Sequence, residues 1–274
     1  MDSLLKKIDL LKIKVDSHRP LSEQTLKSVR DYYRVGLTYT SNSLEGNTLT
    51  ESETKVVIED GLTIEGKPLR DHIEAIGHGK AYDFLYDVIS KSQKMSSWPA
   101  GQDPECAKQT TTSCAGRSPD LLLTEETIKK LHALFYSGID SEEAGSYRTS
   151  QVAITGSSYK LPEPKEINSL MKSFVESFGK NKELDHPVIH AAKIHKEFVF
   201  IHPFIDGNGR VARLLMNLVL MQAGYPITLI PKISRPAYIR SLEKAHTNDS
   251  YFITLIGEAV LETSKDFVRL FIES

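Results

Sequence analysis

One short stretch of the chain, HPFIDGNGR at residues 202–210, sets a histidine, an aspartate, an asparagine and an arginine around two glycines. Apolar residues precede and follow it, and polar groups in such surroundings are costly unless they are paired or bind something. Gly207, Asn208 and Gly209 tolerate positive φ, so their successive backbone N–H groups can point inward and bind an anion. The apolar run that begins at Val211 predicts a helix here, and a helix N-terminus also favours negative charge.

The side chains around this backbone indicate what the anion would be. Arg210 and Arg213 lie three residues apart on one helix face, and their guanidinium groups suit phosphate oxygens. Asp206 supplies the single carboxylate with which proteins commonly hold Mg²⁺ against phosphates. His202 titrates near neutrality and can accept the proton of an incoming hydroxyl. Together they predict a nucleotide-transfer site with His202, Arg210 and Arg213 as its catalytic residues.

The rest of the chain must position that loop, and its pattern is mostly helical. Apolar periodicity and capping residues predict helices that begin at Thr124 and that cover residues 1–16, 22–39, 50–60, 69–91, 165–180, 187–201, 207–223, 234–246 and 250–273. Residues 145–164 are the one convincing β stretch, because QVAIT and SSYKL flank a glycine as in a short hairpin. The predicted fold is therefore mainly α with one short β-hairpin.

Residues 92–120 differ in composition from the rest, being rich in Ser, Thr, Gly and Pro and poor in aliphatic residues. This predicts a flexible insertion between an N-terminal helical region, 1–91, and a core at 121–274. Both cysteines, Cys106 and Cys114, fall in the insertion without the spacing of a zinc site.

Charge and hydropathy limit the classes of partner. A formal net charge of −2 over 274 residues gives no overall field that favours nucleic acid or an anionic membrane. No apolar run reaches the ~18 residues that span a bilayer, and the first 20 residues lack the apolar region of a signal peptide. We therefore expect a cytoplasmic protein with neither a nucleic-acid nor a membrane partner.

Two other motifs are weaker. GLTIEGKP, residues 61–68, nearly spells a phosphate-binding P-loop, but Pro68 replaces the hydroxyl residue and no strand precedes it. His72, Glu74 and His78 lie close together without metal-ligand spacing, which favours a solvated helix face.

The loop and the helix after it resemble the signature of Fic-domain proteins. HPFIDGNGRVAR, residues 202–213, matches every specified position of H-x-F-x-[DE]-G-N-G-R-x-x-R, and the resemblance runs from about residue 30 to the C-terminus, interrupted by 92–120. It implies a Fic-type helical bundle with a short β-hairpin flap. Fic proteins mostly transfer AMP from ATP to a Tyr, Thr or Ser hydroxyl of a target protein, releasing pyrophosphate.

The resemblance assigns roles residue by residue. His202 would deprotonate the target hydroxyl, and Asp206 would hold the Mg²⁺ that bridges the α- and β-phosphates. The backbone of Gly207, Asn208 and Gly209 with Arg210 would cradle the phosphates, while Arg213 would reach the γ-phosphate. The intact motif favours nucleotidyl transfer over the kinase-like or phosphocholine-transferring members of the family.

The resemblance also implies contacts outside the loop. The stretch VAITGSSYK, 152–160, matches the family's flap, whose edge would hold a target segment by β-augmentation. Tyr238 matches a position that lines the adenine pocket, and His246 stands where relatives often have an asparagine. Relatives often dimerise, which leaves a homodimer open. The further nucleotide contacts predicted on the flap are Val152, Ala153, Ile154 and Thr155.

A second motif, SNSLEG at residues 41–46, resembles the family's inhibitory pattern [ST]-x-x-x-E-[GN] through Ser41, Glu45 and Gly46. By that resemblance Glu45 would pair with Arg213 and withhold it from the γ-phosphate, so that the enzyme is autoinhibited. Two alternatives stay open. Glu45 could orient a water that removes AMP from a modified target, or the chain could be a nucleotide-binding regulatory module without turnover.

Overall fold

The computed structural model describes residues 1–96, 123–154, 156–180 and 185–273, which are mainly helical as predicted. Within those ranges ten α-helices follow one another: α1 (Asp2–Asp16), α2 (Glu23–Leu44), α3 (Glu51–Lys55), α4 (Leu69–Ser96), α5 (Glu125–Tyr136), α6 (Ile167–Lys180), α7 (Pro187–Ile201), α8 (Asn208–Gln222), α9 (Arg235–Lys244) and α10 (Ser250–Phe271). A π-helical turn, Val56–Asp60, extends α3, and short 3₁₀ turns precede α6 and α9.

Local capping explains where several helices begin. Thr50 accepts the Glu53 N–H while the Glu53 carboxylate accepts the Thr50 N–H, a reciprocal capping box at the start of α3. Thr124 accepts the Thr127 N–H and starts α5, as its sequence predicts.

Helix α2 extends one turn further than predicted, to Leu44 instead of residue 39. The hydroxyls of Thr40 and Ser43 donate to the carbonyls of Gly36 and Thr40, so these polar residues are satisfied inside the helix. The chain leaves the helix only at Gly46, which has a φ of 101°. The motif SNSLE therefore forms the last turn of α2 and its C-cap.

Helix α8 lies at the centre of the core. Nearly all of it is buried, with Val211, Ala212, Leu214 and Leu215 fully inaccessible, and it packs against α7, α4, α2 and α5. Helix α1 packs along α10 at the edge of this bundle. No helix in the described ranges is long and apolar enough to cross a membrane.

The predicted β-hairpin is wrong as a pair of strands, since residues 151–154 and 156–160 contain none. The chain does turn there, because the Ser157 N–H donates to the Ile154 carbonyl over 3.1 Å and Gly156 has a φ of 81°. Side chains on other elements hold the segment in place of a ladder: Glu243 of α9 binds Ser157. The predicted insertion at 92–120, with both cysteines, falls largely outside the described residues, as does Thr155.

Candidate active site

The loop between α7 and α8 turns sharply at two residues of positive φ. His202 ends α7 with a φ of 51°, and Gly207 precedes α8 with a φ of 78°. A Cβ at Gly207 would lie 2.7 Å from the Phe135 ring, so this position requires glycine. The Asn208 side chain accepts the Phe204 N–H and donates to the Phe204 carbonyl, both over 2.9 Å, which closes the loop. The backbone at the start of α8 is therefore held ready for an anion.

A backbone hydrogen bond holds His202 in one neutral tautomer. Its Nδ1 lies 3.2 Å from the Val199 carbonyl, which can only accept, so Nδ1 carries the proton and Nε2 is left with a free lone pair. Burial lowers the pKa of His202, and Arg148 acts in the same direction, although the Val199 hydrogen bond, Asp206 and Glu45 oppose them. The ring is thus neutral at neutral pH, as a general base requires.

Arg148, which the sequence did not single out, braces this loop from behind. It is 2% exposed, and its guanidinium donates to the carbonyls of His202, Ser150 and Pro162 over 2.8, 3.0 and 2.7 Å. Its own N–H donates to the Pro203 carbonyl over 2.9 Å. Because these partners lie far apart in the chain, no local pattern identifies Arg148 as part of the site.

Replacing Arg148 with methionine is expected to lower the free energy of unfolding by about 2–4 kcal/mol, since three carbonyls lose a charged donor that is itself buried. Urea denaturation measures this directly. Arg269→Met is the matched control, because the Arg269 side chain is 70% exposed and pairs only with Asp266 among the contacts of the described chain. Equal losses in the two variants would contradict the bracing role of Arg148.

Asp206 lies in the loop directly before Gly207, and both of its carboxylate oxygens have partners. Oδ1 accepts the Gly207 N–H over 2.6 Å and lies 3.5 Å from Arg210, while Oδ2 accepts from Arg70 over 2.8 Å. Its side chain is 41% exposed. Among the described residues no cluster of three or more His, Cys, Asp or Glu could hold a metal, so a cation here would bind one carboxylate together with ligand oxygens.

The backbone of Asp206 is held by a buried histidine. His132 Nδ1 accepts the Gly145 N–H over 2.9 Å, so its Nε2 carries the proton and donates to the Asp206 carbonyl over 3.1 Å. The ring stacks on Phe204 at a centroid separation of 3.8 Å. Burial lowers the pKa of His132 to about 4, so the ring stays neutral in this arrangement.

Arg210 does not point freely into the site. It is 2% exposed, its Nη1 lies 3.0 Å from Glu74, and its guanidinium lies 4.0 Å above the Phe135 ring. Glu74 also accepts from Asn47 over 3.1 Å and from Arg70 over 3.1 Å. The carboxylate therefore joins helix α4 to the start of α8 and to the loop after α2.

Arg213 and the end of α2 form a compact buried cluster. Arg213 donates to the Glu45 carboxylate over 2.7 Å and to the Ser41 hydroxyl and carbonyl, each over 2.9 Å. Arg213 is only 1% exposed, whereas the Glu45 side chain is 39% exposed and covers it. Burial would raise the pKa of Glu45, but Arg213 and Arg210 outweigh it and hold that pKa below its ordinary value. The contact predicted between Glu45 and Arg213 is thus present as an ion pair.

Two neighbours define the space around that pair. A Cβ added to Gly209 would lie 2.4 Å from the Glu45 carboxylate, so Glu45 rests directly on the first turn of α8. Arg235 of α9 donates to the Leu44 carbonyl over 2.6 Å and secures the end of α2 from the other side. Gly46, at a φ of 101°, directs the chain away immediately afterwards.

Tyr238 reaches Arg213 from α9. Its hydroxyl accepts from Arg213 over 3.1 Å and lies within hydrogen-bond distance, 2.9 Å, of His195 Nε2. Burial, assisted by Arg213, lowers the pKa of His195 well below its ordinary value, so this histidine is neutral. Tyr238 therefore binds the arginine as well as lining the cavity described next.

A cavity of about 630 Å³ opens in front of these groups. Its lining includes His202, Asp206, Glu45 and the backbone of residues 207–209, together with Tyr238 and His246. Of the predicted flap contacts, Ala153 and Ile154 line it, whereas Val152 is not among its lining residues and Thr155 is outside the described chain. Arg210 and Arg213 lie behind this lining, each covered by a carboxylate partner.

His246 belongs to a group of three aromatic rings at the cavity wall. Its ring centroid lies 3.9 Å from that of Tyr159 and 3.9 Å from that of Phe200, and the centroids of those two rings are 5.3 Å apart. The group joins the segment around Tyr159 to α7 and to the end of α9.

The flap segment is attached to α9 mainly through Glu243. Its carboxylate accepts from the Ser157 hydroxyl over 2.6 Å and from the Ser158 N–H and hydroxyl over 2.9 and 2.8 Å. These hydrogen bonds lower the pKa of Glu243. A carboxylate with a depressed pKa favours the attached form at neutral pH and loses that effect as the pH falls through its folded pKa.

We therefore expect Glu243→Ala to speed amide hydrogen exchange in residues 156–159 without speeding it in α8, because the segment loses its attachment. Glu258→Ala, on an exposed face of α10, is the control. Unchanged exchange at Ser158 would mean that Glu243 does not hold the segment.

The two weaker sequence motifs, residues 61–68 and the group at 72–78, contribute to packing. Lys67, from the P-loop-like stretch, donates to the Thr48 carbonyl over 2.7 Å and serves the packing of that loop. The prediction that His72, Glu74 and His78 form a solvated face is wrong, since they are 4%, 6% and 0% exposed. His72 accepts the Ile64 N–H from the loop before α4, and His78 contacts Thr38 of α2.

A helical bundle with a glycine-containing loop before its central helix defines the class of fold, and comparison with known proteins identifies the family. Residues 122–220 match the Fic/DOC family. The chain is 31% identical over 248 residues to a protein adenylyltransferase Fic of Nematostella vectensis, covering 90% of this chain and 51% of that protein. It is 33% identical over 227 residues to the one of Drosophila grimshawi, covering 82% and 41%.

Solved structures agree. Fic-1 from C. elegans superposes with a TM-score of 0.77 at 26% identity, covering 98% of this chain and 72% of that one. A Fic-domain signalling protein from Bacteroides thetaiotaomicron gives 0.73 at 27% identity, covering 94% and 95%. The chain belongs to the Fic/DOC family. It spans about half the length of the curated relatives it matches, 51% and 41% of the two named above.

Proposed function

We propose that this chain is a protein adenylyltransferase, which transfers AMP from Mg-ATP to a Tyr, Thr or Ser hydroxyl of a target protein. One observation carries the proposal. The unprotonated Nε2 of His202, which can accept a proton, and the N-terminus of α8, which can bind an anion, line the same cavity. The names of the Nematostella and Drosophila relatives support the same activity.

The proposed reaction uses these residues in turn. The target hydroxyl oxygen attacks the α-phosphorus of ATP, the bond from that phosphorus to the bridging oxygen breaks, and pyrophosphate leaves. The hydroxyl proton passes to Nε2 of His202, whose Nδ1–H stays hydrogen-bonded to the Val199 carbonyl. The backbone at Gly207, Asn208 and Gly209 binds phosphate oxygens, and the preset charges around the loop stabilise the transition state.

Asp206 is the residue that would hold Mg²⁺. A partly exposed carboxylate on the cavity wall, with one oxygen fixed by the Gly207 N–H, has the donor chemistry that a hard cation requires. When bound, Mg²⁺ would neutralise charge on the phosphates. Arg210 stays beside Asp206 and would stabilise the same charge.

We further propose that Glu45 restrains the activity. Because Glu45 both pairs with Arg213 and rests on Gly209, it competes with a phosphate for the arginine and for the space above α8. Ser41 and Gly46 support this arrangement, the former by binding Arg213 and the latter by ending α2.

The target and the location complete the proposal. The segment 151–160 borders the cavity and is where a target chain would lie, so that its hydroxyl reaches His202. A homodimer, a cytoplasmic location and the division into 1–91, 92–120 and 121–274 stay predictions.

A second candidate, removal of AMP from a modified target, uses the same site. It is favoured by the Glu45 carboxylate, which lines the cavity while 39% exposed and held at a depressed pKa, so that it could orient a water. Release of AMP from a pre-labelled target by the wild type, lost in Glu45→Gly, would support this candidate over restraint alone.

Transfer is tested with ATP labelled on either the α- or the γ-phosphate. The Glu45→Gly variant is incubated with Mg²⁺ and a cell lysate, and protein-bound label is counted. We expect label from the α-position only. Label from the γ-position would indicate phosphoryl transfer, and label from neither would contradict the proposal.

A further inference from the structure

Arg70, in the first turn of α4, contacts the candidate metal ligand directly although it comes from a distant part of the chain. Its Nη2 donates to Oδ2 of Asp206 over 2.8 Å. Its Nε donates to Glu74 over 3.1 Å, so the guanidinium bridges two carboxylates. Arg70 belongs to neither the loop motif nor the inhibitory motif.

The other oxygen of Asp206 is already committed. Oδ1 accepts the Gly207 N–H and lies 3.5 Å from the buried Arg210, whereas the contact of Oδ2 is with the exposed side chain of Arg70, which can move aside for a ligand. A cation that binds through Oδ2 must share or replace the contact with Arg70. Two positive charges within a few ångströms repel each other, most strongly in a partly enclosed site.

Arg70 can lose its contact with Asp206 and still stay in the site. Its side chain is 57% exposed, whereas Glu74 is 8% exposed and is fixed by Arg210 and Asn47. Once released from Asp206, the guanidinium keeps its second anchor on Glu74. A cation can therefore replace Arg70 on Asp206 while Arg70 remains bound to Glu74.

We propose that Arg70 is a positioning residue that sets the cation affinity of the site by competing with Mg²⁺ for Asp206. This inference rests on the proposed function, because it requires that Asp206 bind the cation of Mg-ATP. It adds a residue that the nucleotide-binding loop does not contain. It also links cation binding to the Glu74 carboxylate, and through it to Arg210 and the loop after α2.

The test is a calorimetric titration of MgCl₂ into the full chain saturated with a non-hydrolysable ATP analogue. Arg70→Gln is expected to bind Mg²⁺ roughly two- to fivefold more tightly than the wild type, the range for a partly exposed ion pair. Arg70→Lys, which keeps the charge, should stay close to the wild type. The difference should narrow at high salt, because exposed charges are screened.

Controls separate this inference from the function on which it rests. Asp206→Asn must weaken Mg²⁺ binding, and Arg269→Gln, a distant exposed arginine, must leave it unchanged. If the wild type binds Mg²⁺ through Asp206 but Arg70→Gln binds it equally or less tightly, the competing role is wrong. If Arg70→Gln weakens binding of the analogue in EDTA, Arg70 is a phosphate ligand and the proposal is also overturned. Absence of Mg²⁺ and analogue binding in both the wild type and Glu45→Gly would overturn the proposed function itself.

Discussion

Glu45→Gly is expected to raise AMP transfer to protein by about ten- to a hundredfold, a coupling typical of two ligands that compete for one group. The variant frees Arg213, whose guanidinium is otherwise held by the Glu45 carboxylate at 2.7 Å. It also clears the space next to Gly209, where that carboxylate lies. Initial rates of label incorporation at fixed Mg-ATP measure the effect.

The control for this prediction is Glu45→Gln, which keeps the size of the side chain but removes its charge, and which should raise the rate by less than glycine does. Binding supplies an independent check. If Glu45 withholds Arg213 from the γ-phosphate, Glu45→Gly should gain affinity for ATP more than for ADP. Equal gains for both nucleotides would show that the restraint acts elsewhere than on Arg213.

His202→Ala in the Glu45→Gly background is expected to lower transfer by about 10²–10⁴-fold, the usual contribution of a general base. Nucleotide binding should survive, because the loop backbone is held by Asn208 and Arg148 and not by the imidazole. Label incorporation and nucleotide titration on the same preparation separate the two effects. Loss of binding together with transfer would mean that His202 shapes the loop instead of accepting the proton.

The dependence of AMP transfer on pH in Glu45→Gly follows from the pKa of His202. Since burial lowers the pKa of His202, the neutral base persists below the ordinary histidine pKa of about 6.5. The midpoint of the decline in transfer at acid pH should therefore lie below the ordinary value of about 6.5. A decline centred at or above the ordinary value would contradict a buried neutral base.

The part of the site that the sequence predicts is the part encoded locally. The motif at 202–213 contains the glycines, the capping asparagine and the helix start within twelve consecutive residues, so spacing alone indicates an anion-binding helix N-terminus. Helices with strong caps, such as those at Thr50 and Thr124, were predictable for the same reason. The contact between Glu45 and Arg213 spans 168 residues and came from resemblance, because no local pattern encodes it.

What the sequence did not predict depends on packing between distant elements. Arg148 and Arg70 look like ordinary surface arginines until the fold brings them to His202 and Asp206. The sequence predicts Glu74 on a solvated face, yet it is buried and forms ion pairs with two arginines. The sequence predicts a β-hairpin at 145–164, but the structure has only a turn at Gly156, and hydrogen bonds to Glu243 stand in place of the strand ladder.

The measurement that tests the account most directly compares the wild type, Glu45→Gly and Glu45→Gly/His202→Ala with α-labelled ATP, Mg²⁺ and a lysate. The account predicts weak labelling of protein by the wild type, strong labelling by Glu45→Gly, and none above background by the double variant. Equal labelling by the wild type and Glu45→Gly would show that Glu45 does not restrain the activity. Labelling that survives the loss of His202 would contradict the proposed chemistry.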